Sequence, residues 1–133
     1  MLKSEKEILT DFAFLVMSEC GLAKFMPENK GVWLKFPTSG IRQGINDLLV
    51  MTSDLDPAKL KELDVKLDVS GLPTLTKMRQ KNFKKTLQIL SREKVKNENE
   101  WRLLRSEVEI GSYKPEELKK MQELLDAFEF ENS

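Results

Sequence analysis

The stretch AKLKELDVKLDVSG (Ala58–Gly71) admits two periods, and the choice between them decides the fold class. Leu60, Leu63 and Leu67 recur at the spacing of a helix face. Leu63, Val65, Leu67 and Val69 also alternate with polar residues, as a half-buried strand does. Asp56-Pro57 just before it is a helix start, a capping carboxylate followed by proline at the first helical position. The expectation is a short helix running into an extended segment over 63–69, after which Gly71 and Pro73 reset the chain.

Outward from there, helical spacing dominates. Ser4 and Glu7 have capping-box spacing ahead of Ile8, Phe12, Leu15 and Val16, which predicts a first helix ending near Gly21. GVWLKF (31–36), between an Asn-Lys-Gly turn and Pro37, reads as a short strand or extended loop. Ile41, Ile45, Leu48 and Leu49 predict a second helix, although Gly44 within it costs about 1 kcal/mol relative to alanine. From about Thr74 to about Lys94 the pattern is helical again. Asn97 with Glu100 starts another helix that Gly111 stops, with Trp101, Leu104 and Val108 inward. Pro115 opens a last one, with Leu118, Met121, Leu125 and Phe128 as its core stripe. The fold class is therefore mainly α: an irregular bundle of four to five helices with minor β at 31–36 and 63–69, in a single helical domain over 1–133.

Composition narrows the chemistry. At 133 residues, 40% hydrophobic and 33% charged, the chain has the make-up of one globular domain. Its longest apolar run, Phe12–Met17, is far too short for a membrane span, so no membrane partner is expected. Nothing at its start reads as a targeting segment, and Cys20 is the one cysteine, so a reducing, cytoplasmic setting is the expectation. There is no histidine, which removes Ser–His and Cys–His nucleophile systems and zinc sites built from Cys and His. The six glycines are dispersed and form no phosphate loop. No cofactor is implied.

The formal net charge is zero, but it is unevenly distributed. Residues 1–73 carry nine basic and eleven acidic residues, residues 74–96 eight and one, and residues 97–133 five and ten. On a helical wheel the basic helix 74–96 gathers Lys77, Lys81, Lys84, Lys85 and Arg92 into one stripe opposite Leu75, Met78, Phe83, Leu87, Ile89 and Leu90. Such a face suits a protein partner, as in a small regulator, inhibitor or immunity-type factor acting by occlusion. Nucleic acid is the second candidate, with phosphates meeting the same lysines. That reading lacks an aromatic interleaved with the cations, because Phe83 falls on the apolar half. The blander alternative is a solvated face, or one that lies against the acidic C-terminal third. A homo-oligomer is compatible with the same charge pattern.

One further constellation carries chemistry. Asp47 precedes the apolar run LLVM, and Asp64 and Lys66 stand two apart in ELDVKLDV. An acid ahead of one strand and acid-x-lysine on the next resembles the metal-dependent nucleases of the PD-(D/E)xK type. The resemblance implies carboxylates holding Mg²⁺ and a lysine assisting water, with Glu19 as a further acid. It covers a small part of the chain, and Asn46 stands where that motif has proline. It also requires residues 41–55 and 63–69 to be extended. The remaining conspicuous side chains, Trp33, Trp101 and Met17, Met78 and Met121, read as core or core edge.

Overall fold

The structure is a computed structural model that describes residues 3–22, 24 and 30–132. Seven helices are present among them: α1 (Glu5–Glu19), α2 (Lys30–Leu34), α3 (Thr38–Met51), α4 (Pro57–Val69), α5 (Leu75–Arg92), α6 (Glu98–Ile110) and α7 (Pro115–Glu131). No strand occurs among the described residues. The chain divides into two compact units, Met1–Met78 and Arg79–Ser133, and the division falls within α5.

The first unit is organised around α1, which packs against α2, α3 and α4. The Ser4 side chain accepts from the Glu7 amide while the Glu7 carboxylate accepts from the Ser4 amide, so the expected capping box closes. At the other end Gly21 is left-handed and the Leu22 amide donates to the Met17 carbonyl at 2.8 Å, the wrap that ends a helix at glycine. Phe12, Ala13 and Val16 are completely buried, so α1 is the unit's central element. Ile41, Ile45, Leu48 and Leu49 of α3 are buried at the expected helical spacing. Asp11 holds both Lys3, at 2.5 Å, and Lys30, at 2.8 Å. Burial of Asp11 opposes its ionisation, but the two lysine contacts outweigh it and hold the carboxyl below its ordinary range.

Neither segment expected to contain strand is one: residues 63–69 are helical, and residues 31–34 belong to α2 with a turn after it. Residues 63–69 continue α4 without a break: Leu63 and Leu67 are buried, whereas Val65 is 56% and Val69 82% exposed. The two leucines satisfy both periods, and the valines that made the alternation look apolar point to water. The Asp56 carboxylate caps α4 by accepting from the Ala58 amide at 2.8 Å, and Gly71 in the left-handed region ends it. In the 31–36 segment, α2 forms a single turn and buries no residue; Trp33 is its half-buried side chain. The Trp33 ring meets Phe14 edge-on at 5.9 Å, while the Lys30–Asp11 pair and the Lys6 ammonium, donating to the Leu34 carbonyl at 3.1 Å, also tie the turn to α1.

The second unit closes around Ile89, Leu90, Val95, Leu103, Leu104, Tyr113, Met121 and Leu125, with α6 and α7 packed together. Asn97 caps α6 at the Glu100 amide, 2.9 Å away, and Gly111 ends it in the left-handed conformation, both as expected. Pro115 starts α7. Trp101 lies at the core edge, against Phe128 and beneath the Arg105 guanidinium.

Candidate functional site

The residues of the nuclease-like constellation are built into helices. Asp47 lies on α3, where it accepts from the Gln43 side chain at 2.8 Å. Asp64 lies on α4 and caps the start of α5: its carboxylate accepts from the Leu75 amide at 2.8 Å, the Thr76 amide at 3.3 Å and the Thr76 hydroxyl. Lys66 points elsewhere, because residues two apart on a helix diverge by about 200°. Its ammonium meets Glu19 at 2.7 Å and Glu62 at 3.3 Å. The structure thus brings Glu19 to Lys66, but as a neutralising pair. That hydrogen bond holds the Glu19 carboxyl below its ordinary range and, with Glu62, raises the Lys66 ammonium. The extended geometry that the resemblance requires is replaced by α3 and α4. Among the described residues no three acids or thiols converge as a metal site would. Asp64 does line an open groove of about 430 Å³, with Leu60, Lys61, Val65 and Asp68.

The basic residues of α5 differ in their surroundings. Lys77, in the helix's first turn, is exposed. Lys81 and Lys84, in the second unit, are exposed and make no ion pair among the described residues. Lys85 is exposed beside them. Arg92 is committed locally, to the Glu100 carboxylate and the Lys94 carbonyl.

Next round the helix from Lys84 lies a feature that the wheel misplaced. Phe83 and Leu87, four residues apart, are 44% and 39% exposed. The buried stripe of α5 in the second unit runs instead through Asn82, Thr86, Ile89 and Leu90. Phe83 stacks on Tyr113 with ring centroids 5.3 Å apart and planes 16° from parallel, so its exposed ring has a fixed backing. Tyr113 is positioned by its hydroxyl, which donates to Glu107 Oε1 at 2.7 Å in the interior. Burial raises the Glu107 carboxyl above its ordinary range, against the pull of the Tyr113 hydroxyl and the Arg79 charge. Burial also pushes the Tyr113 phenol well up, with Thr86 opposing and Glu107 adding to the shift.

The acidic third does not cover Lys81 and Lys84. Helix α7 meets the end of α5 through a lysine: Lys120 pairs with Glu93 at 3.0 Å. Glu123 and Asp126 are exposed on α7, and Phe130, which follows on the same stripe, is 84% exposed. No protein-family model, curated protein or solved structure matches this chain.

Proposed function

We propose that this chain is a non-catalytic protein-binding module, a small regulator, inhibitor or immunity-type factor, that engages an acidic protein surface through α5. Lys81 and Lys84 of the second unit are the central contacts, with Lys85 beside them. The observation that carries the reading is that Lys81 and Lys84 stand exposed without an ion pair among the described residues, with exposed Leu87 next round the helix from Lys84 and exposed Phe83 beyond it. Cations beside a backed aromatic and an aliphatic side chain match a partner with carboxylates and apolar side chains. The exposed Phe83 ring suits a nucleic-acid base as well as an apolar side chain, whereas Leu87 suits only the latter, which favours protein over nucleic acid. No described helix is long and apolar enough to cross a membrane. A cytoplasmic setting belongs to the proposal.

The test is fluorescence anisotropy of a labelled acidic helical peptide, and of labelled single- and double-stranded DNA and RNA, at 50 and 200 mM salt. The expected result is peptide binding that Lys81→Glu/Lys84→Glu abolishes, with weaker nucleic-acid binding. Tight nucleic-acid binding that falls by two to three powers of ten across that salt range, as about four phosphate contacts predict, would replace protein with nucleic acid as partner.

A further inference from the structure

Each chain carries a basic face and a complementary acidic one, and the two do not meet within it. On α5, Lys81 and Lys84 are separated by three residues; on α7, Glu123 and Asp126 are separated by three. At 1.5 Å per residue both pairs span about 4.5 Å, so either can be laid on the other with two cation–carboxylate contacts at once. All four side chains are exposed. The Asp126 carboxylate accepts from Gln122 at 2.9 Å, a neutral neighbour that leaves its charge uncompensated. Each charged pair also has exposed apolar side chains nearby: Leu87 and Phe83 on the Lys84 side of α5, and Phe130 one turn beyond Asp126.

We infer that the occupant of the α5 face is the α7 face of a second copy of this chain. This deepens the proposed function and rests on its reading of the lysine face. Because every copy offers both faces, two copies related by a two-fold axis can make the contact twice, which closes the assembly. Exposed ion pairs contribute little singly, so the apolar side chains supply attraction while the charges choose the partner. The association is therefore weak and sensitive to salt.

Sedimentation velocity of the full chain at about 0.1 mM, a concentration that reveals micromolar association, tests this at 50 and 500 mM salt. A dimer is expected at 50 mM and a shift toward monomer at 500 mM. Lys81→Glu/Lys84→Glu and Glu123→Lys/Asp126→Lys should each give monomer, with helical circular dichroism retained. Mixing the two variants should restore the dimer, since reversed acids then face reversed lysines. A monomeric wild type, a dimer that neither variant disturbs, or a mixture that stays monomeric would each overturn the inference. Its failure is separable from that of the functional reading. A monomeric chain that still binds the labelled acidic peptide through Lys81 and Lys84 keeps the protein-binding function and loses only the second copy as partner. A chain that neither dimerises nor binds that peptide loses both.

Discussion

The Tyr113 hydroxyl donates to Glu107 Oε1 at 2.7 Å, and both side chains are buried in the second unit. The same tyrosine ring backs Phe83 on the surface, so an interior hydrogen bond fixes an element of the proposed binding face. Tyr113→Phe keeps the ring and removes the donor, leaving a buried carboxyl short of a partner. The expected cost is about 1–3 kcal/mol in urea unfolding. Peptide binding by the folded variant should weaken much less than with Lys81→Glu/Lys84→Glu. Wild-type stability for the variant would mean that the hydrogen bond does not form.

Two acids should give opposite pH signatures. Burial raises the Glu107 carboxyl, so the folded chain holds its proton more firmly than the unfolded chain does. Its contribution is therefore full below the ordinary glutamate value of 4.5 and lost as pH rises through the folded value. Lys3 and Lys30 hold Asp11 low, so its contribution is present above the ordinary aspartate value of 3.8 and lost as pH falls through the folded value. Urea midpoints measured from about pH 3 to pH 7 separate the two. Glu107→Gln should gain on wild type as pH rises, whereas Asp11→Asn should fall behind. A Glu107→Gln profile parallel to wild type would refute the assignment.

Asp64 supplies a third prediction. Its carboxylate takes the first two amides of α5 and the Thr76 hydroxyl, a capping role for which its neighbour Lys66 is irrelevant. Asp64→Ala should cost about 1–2 kcal/mol, and Asp64→Asn less, because the amide oxygen still accepts. Thermal unfolding of the two variants orders them. Equal stability of Asp64→Ala and wild type would free this carboxylate from structural duty and bring a chemical role for it back into consideration.

The helix ends were legible because their signals are local. Ser4 with Glu7, Asp56-Pro57, Asn97 with Glu100 and Gly111 each act through backbone groups a few residues away. What misled were positions whose apolar character says nothing of direction. Val65 and Val69 completed an alternation, yet they lie on the outer side of α4. On α5 the wheel drew Phe83 and Leu87 inward because it could not foresee that Asn82 and Thr86 would take the buried stripe. Thr86 can do so because its hydroxyl donates to the Asn82 carbonyl, one turn earlier, at 2.9 Å. The basic face was readable in outline. Its division into exposed Lys81 and Lys84 and locally paired Arg92 depends on Glu100, which only folding brings near.

Gly44 looked like a weakness in α3, and its reason lies in α2. A β-carbon added there would come within 3.0 Å of Trp33 Cη2 and 3.5 Å of Cζ3, so the indole occupies the space that glycine leaves. That ring is also the edge-on partner of Phe14 in α1, and moving it would loosen one of the contacts that tie the single turn of α2 to α1. In an unobstructed helix interior, glycine to alanine stabilises by about 1 kcal/mol. Here the gain should appear only when the ring is gone: Gly44→Ala should lower the melting temperature of wild type and raise that of Trp33→Ala. A double-mutant cycle reads the difference as a coupling energy between the two positions. Zero coupling would mean that Trp33 does not pack over Gly44, and would undo the placement of α2 against α1 and α3.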